Sequence, residues 1–166
     1  MLARPKTFTE WPLWEMRGTG SSAKWEFVSG LAHEGIGIDG VRIRGVAMAD
    51  IMDRELTVQL EAVVSSRWVH IARADYRPLH AHTNPFDRKD LVRSIPSDLS
   101  HFHQFADNTR EGLIDDLRPN RNLPAARVIE PPPSSIRKFF AIVGSELGIL
   151  DFDSVQPPDW QGGFAL

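Results

Sequence analysis

Four of the chain's six histidines fall in one stretch, "RADYRPLHAHTNPFDRKDLVRSIPSDLSHFHQFADN", which runs from Arg73 to Asn108. They form two His-x-His pairs, His80 with His82 and His101 with His103. Imidazole is the only side chain whose ordinary pKa lies near neutrality, so a group of them suits metal binding, proton transfer or hydrogen bonding around a loop. With no cysteine in the chain, every thiolate-based zinc motif is excluded. A metal centre would therefore draw on His80, His82, His101, His103 and a carboxylate such as Asp75 or Asp107. In a metal-free alternative, two histidines share the proton transfers of phosphodiester cleavage while Arg73 or Arg77 counters charge on the phosphate. In a third reading, a non-catalytic binding or regulatory protein, the cluster only bonds backbone and carboxylate groups. Spacing alone leaves all three open.

The neighbouring residues sharpen each reading. Arg73 and Asp75 are two apart and, in an extended strand, share a face with Val69 and Ile71. This predicts an Arg73 contact with a carboxylate at the core boundary, or a phosphate contact with Asp75 orienting a histidine. Pro78, Asn84 and Pro85 predict an ordered loop carrying His80, His82, Asn84 and Arg77 as ligand-binding candidates. In "HFHQFAD", extended backbone puts His101 and His103 on one side and Phe102 on the other.

The order Arg73-x-Asp75, His82-x-Asn84-Pro85 and His101-x-His103 resembles the TumE-like toxins of bacterial toxin–antitoxin systems. It is similar also to bacterial and phage-associated proteins in which an R-x-D strand precedes H-x-N-P and H-x-H. The resemblance covers about a quarter of the chain. It implies RNA cleavage, with His101 and His103 as acid and base, Arg73 on phosphate and Asp75 as orienter. It also implies RNA or an antitoxin-like protein as partner. No organic cofactor is expected; a divalent metal is the one cofactor the residues accommodate, as in a metal-dependent hydrolase.

These residues need a scaffold. "KWEFVSG", "GVRIRGVAM", "ELTVQLEAVV" and "RWVHIARAD" read as four successive strands. In the third, Leu56, Val58, Leu60, Ala62 and Val64 alternate with Glu55, Thr57, Gln59 and Glu61, so one face meets the core. In "PPPSSIRKFFAIVGSELGIL", Ile136, Phe139, Phe140, Val143 and Leu147 recur at helical spacing, with Ser134 or Ser135 as cap and Gly148 as stop. The predicted fold is α+β: an antiparallel meander of about five strands packed against one principal C-terminal helix. Shorter helical turns are expected in "DRKDLVRSI" and "TREGLIDDL", and "GIGIDG" reads as a turn.

A chain of 166 residues with 42% hydrophobic content is expected to form one domain over 1–166, with an irregular lead-in at 1–23 and an extended arm at 150–166. No apolar run approaches the roughly 20 residues that span a bilayer, so no membrane partner and a cytoplasmic location are expected. The net charge of −3 argues against nucleic-acid binding through global charge. Residues 67–138 nevertheless carry twelve Lys and Arg against nine Asp and Glu, so the histidine segment lies in the basic part.

Overall fold

The computed structural model of the protein describes residues 4–109 and 123–160. Its frame is four long antiparallel strands: β3 (Lys24–His33), β4 (Ile36–Met48), β5 (Leu56–Val64) and β6 (Arg67–Tyr76). Two short strands, β1 (Thr7–Phe8) and β2 (Glu15–Arg17), both pair with β3, so the lead-in is partly sheet. The far side of β6 is completed by β9 (His101–His103) and β10 (Arg127–Val128). The sheet therefore has eight strands, more than the sequence suggests, because strands of two or three residues leave no periodicity to read. A separate two-stranded ribbon joins β7 (His82–Thr83) to β8 (Ser94–Ile95). The loop containing "DRKDLVRSI" thus ends in strand β8 and not in a helix. A single helical turn, α1 (Phe105–Asn108), follows β9. That turn precedes "TREGLIDDL", which lies outside the described residues from its second position onward.

The hairpin turns follow local chemistry. Ser65 and Ser66 join β5 to β6 with φ of 49° and 64°, and Glu34 with Gly35 joins β3 to β4 with φ of 51° and 78°. Two consecutive residues with positive φ match the twist of the strands they connect. Only Gly35 of "GIGIDG" belongs to such a turn; Ile36 onward is already strand β4.

One sheet face is covered by α2 (Ile136–Leu147), capped by the Ser135 hydroxyl, which accepts the Lys138 N–H, and ended by Gly148 at φ 64°. Ile136, Phe139, Phe140, Val143 and Leu147 are all buried, as the helical spacing predicts. Phe139 packs on Tyr76 at 5.3 Å, and Phe140 stacks on Phe152 at 5.1 Å. The arm after α2 begins with a 3-10 turn, Phe152–Ser154, and is fixed where the Trp160 indole N–H donates to the Met48 carbonyl at 2.9 Å.

Strand β6 holds the detail that places the site. Its register to β5 shifts between Leu60 and Glu61: Leu60 pairs with Ala72 but Glu61 pairs with His70, leaving Ile71 as an extra residue. A bulge of one residue moves every later side chain to the opposite face. Ala72, Ala74 and Tyr76 therefore face the core with Val69, while Arg73 and Asp75 join Thr57 and Gln59 on the other face. The shared face expected for Val69, Ile71, Arg73 and Asp75 does not exist. On β9, Phe102 pairs with Ala74 toward the core, and His101 and His103 pair with Asp75 and Arg73.

Candidate functional site

The face opposite the helix carries the histidine centre. Register puts His101 beside Asp75 and His103 beside Arg73, and the β7–β8 ribbon brings His82 over them. The rings of His82, His101 and His103 are 4.8–5.2 Å apart centre to centre. One ring nitrogen from each lies within 4.8 Å of the others. His101 and His103 are 3% and 2% exposed, and His82 is half-buried. Three imidazoles so close together, two of them out of water, need an explanation beyond surface solvation.

Asp75 binds the cluster together. One of its carboxylate oxygens, Oδ1, accepts from the Thr57 hydroxyl at 2.7 Å and from Arg73 Nε at 2.9 Å. The other, Oδ2, stands 3.2 Å from His103 Nε2 and 3.4 Å from His101 Nε2. Burial alone would raise the Asp75 carboxyl, but hydrogen bonds from His101 and His103 and the charge of Arg73 overcome it and hold the group well below the usual carboxylate range. Asp75 is therefore an anion at neutral pH.

Hydrogen-bond partners fix the ring orientations. The Asn84 amide nitrogen donates to the carbonyls of Val92 at 2.7 Å and Ala126 at 2.9 Å, so its oxygen faces the Ala126 N–H and His82. His82 Nε2 meets that oxygen at 3.2 Å and the Pro124 carbonyl at 3.0 Å. Both are acceptors, so Nε2 carries the proton and Nδ1 keeps a lone pair. Burial and then the nearby His103 and His101 lower the His82 pKa, which leaves this imidazole neutral at neutral pH. His101 Nδ1 donates to the Leu99 carbonyl at 3.0 Å, which directs Nε2 at Asp75. His103 Nδ1 is buried with no partner among the described residues. Asn84→Ala removes the four side-chain bonds of this clamp and is expected to cost about 4 kcal/mol at about 1 kcal/mol each, read as a lower denaturant midpoint.

A cavity of about 270 Å³ opens on the cluster, lined by Arg73, Asp75, His80, His82, His101 and His103 together with Glu55, Pro78 and Pro124. His80 is exposed on its wall and lies outside the three-histidine group. Arg77 is turned away, pairing at 3.1 Å with both Asp53 and Asp98. Asp107 is held by Arg88 at 2.8 Å and Arg127 at 2.7 Å, in a separate ionic cluster. Sequence reasoning passed over Glu55, Thr57 and Pro124. Alternation in "ELTVQLEAVV" grouped Glu55 and Thr57 with the polar residues, which was the one available signal, although Glu55 falls just before β5; Pro124 carried none. A comparison with family models finds no match to this chain, and neither the curated proteins nor the solved structures show one.

Distances decide what the centre can hold. Two donors on a tetrahedral ion with bonds of about 2.0–2.1 Å lie about 3.3–3.4 Å apart. The separations of Asp75 Oδ2 from His103 Nε2 and His101 Nε2, 3.2 and 3.4 Å, have that length and are long for charge-assisted hydrogen bonds. The histidine nitrogens spread up to 4.8 Å, so closing on one ion would need a contraction of roughly 1.4 Å at the widest. His82 is the member carried by the separate two-stranded ribbon and not by the main sheet. Nitrogen and carboxylate donors in this mixture suit zinc and its neighbours among the divalent transition ions.

Proposed function

We propose that the protein is a hydrolase whose centre is a divalent metal ion held by His82, His101, His103 and Asp75, acting on the phosphodiester bonds of RNA. One observation carries the metal: one nitrogen from each of three imidazoles lies within 4.8 Å of the others, and the anionic Asp75 stands a tetrahedral edge from two of those rings. Hydrogen bonds to the outer nitrogens of His82 and His101 are the orienting contacts that metal-bound imidazoles require. The ion would supply a Lewis acid and a water activated near neutral pH. Arg73, on the cavity wall, is the cation placed for a phosphate oxygen. The resemblance carried by Arg73, Asp75, His82, Asn84, Pro85, His101 and His103 supports RNA as the substrate. An RNA substrate or an antitoxin-like protein partner would place the chain in the cytoplasm. No helix among the described residues is long and apolar enough to cross a membrane.

A second reading rests on a different observation. His101 faces acceptors at both ring nitrogens, the Leu99 carbonyl and Asp75, while His82 keeps a lone pair at Nδ1. A proton donor and a proton acceptor with ring centres 5.2 Å apart suit metal-free cleavage. Both readings are tested by inducing the chain in a bacterium and following growth and RNA integrity. Arrest with RNA loss is expected, relieved by His101→Ala or His103→Ala at equal soluble protein. Normal growth with intact RNA and well-folded wild type would contradict both; cleavage that survives complete chelation would leave the metal-free one.

A further inference from the structure

Glu55 stands on the cavity wall without belonging to the histidine centre. Its backbone has φ of 50°, the left-handed region in which glutamate is uncommon. Its own N–H donates to the Arg77 carbonyl at 3.2 Å. The conformation is matched by a fixed side chain, because Oε2 accepts the Leu79 N–H at 2.6 Å. Oε1 has no hydrogen-bond or ion-pair partner among the described residues. Among the described residues the cavity has one other acid, Asp75, whose oxygens are taken by Thr57, Arg73, His101 and His103. Of the eight non-glycine residues with positive φ among the described residues, Glu55 is the one that lines this cavity.

We propose that Glu55 is the general base of this site, a deduction that rests on the hydrolase reading above. Glu55 Oε1 takes one proton from a water bound at the histidine centre. The remaining hydroxide oxygen forms the new P–O bond while the bond from phosphorus to the leaving oxygen breaks. The proton then passes from Glu55 to that leaving oxygen. Water and a phosphodiester are consumed, a phosphomonoester and an alcohol are released, and the carboxylate is regenerated. A base of this kind contributes about 10²–10⁴ in rate.

The test uses the full chain loaded with zinc and bis(p-nitrophenyl) phosphate as substrate. Glu55→Gln retains an oxygen to accept the Leu79 N–H, so its zinc stoichiometry and melting temperature should match wild type. Its kcat should fall about 100-fold or more with KM little changed. Glu55→Gly, which suits positive φ, should show the same loss and regain rate in added formate, as a purely structural carboxylate would not. Full activity in Glu55→Gln would overturn the role of Glu55 and leave the hydrolase reading standing. Loss of zinc in Glu55→Gln would overturn it too, making Glu55 a ligand. A zinc-loaded wild type that hydrolyses nothing would overturn the role together with the reading beneath it.

Discussion

Asp75→Asn is expected to lower the free energy of unfolding of the metal-free protein by about 3–5 kcal/mol, the range for breaking a buried charge pair on one side. For a chain of this size that corresponds to a fall in melting temperature of roughly 6–20 °C. The carboxylate is 3% exposed and contacts Arg73, Thr57, His101 and His103, so the amide leaves the arginine facing a neutral group and turns one acceptor into a donor. Arg73→Ala is expected to cost less, because its guanidinium is partly in solvent, and the double variant should be no worse than the sum. The acid dependence follows from the depressed carboxyl. A group whose folded pKa lies below its unfolded value of about 3.9 contributes its full stability above that value. The contribution is lost as the pH falls through the folded value, so wild type and Asp75→Asn should converge in stability in strong acid and diverge above about pH 4. Equal melting temperatures at pH 7 would show that the pair contributes nothing to the fold.

Zinc should stabilise the folded protein by about 4 kcal/mol at a free concentration a thousandfold above Kd, since an ion bound only by the native state adds RT ln(1 + [L]/Kd). At roughly 2–4 °C per kcal/mol the melting temperature should rise by roughly 8–16 °C. His101→Ala and His103→Ala should abolish the rise, each removing one donor and opening a void in a buried cluster. His82→Ala should weaken it, since His82 is the half-buried member and the one carried by the ribbon. His80→Ala should leave it intact, because His80 lies on the wall outside the group. The affinity should fall toward acid, because protons compete with the ion for the imidazole lone pairs. A rise that persists in His101→Ala would place the ion elsewhere.

How much of this could be read from the sequence differs by element, for physical reasons. Helix α2 was legible to its caps, because Ser135, the apolar spacing from Ile136 to Leu147 and Gly148 are all local signals. The core face of β5 was equally legible, as was the opposition of Phe102 to His101 and His103, but Glu61, grouped with the polar residues, is buried against Arg42 and His70. The bulge at Ile71 was not, since an apolar residue at 69 and another at 71 mimic an unbroken period of two while hiding one extra residue. That concealment put Arg73 and Asp75 on the wrong face, although their mutual contact was correctly expected. Of the two histidine pairs, His101 and His103 meet because they share one strand face. His82 reaches them only through Asn84 and Pro124, and His80, two residues away, stays in solvent. Such convergence is set by long-range bonds such as Asn84 to Ala126, forty-two residues apart, which no local pattern encodes. Asp107 and Arg77 have the composition of site residues but are drawn into ion pairs elsewhere.

The metal itself is tested most directly by elemental analysis of protein purified without a histidine tag, before and after incubation with zinc, manganese and nickel followed by removal of unbound ion. A centre built from His82, His101, His103 and Asp75 should retain about one divalent ion per chain, with His101→Ala and His103→Ala retaining none. A stoichiometry near zero in the wild type, unchanged by all three metals, would contradict the metal centre.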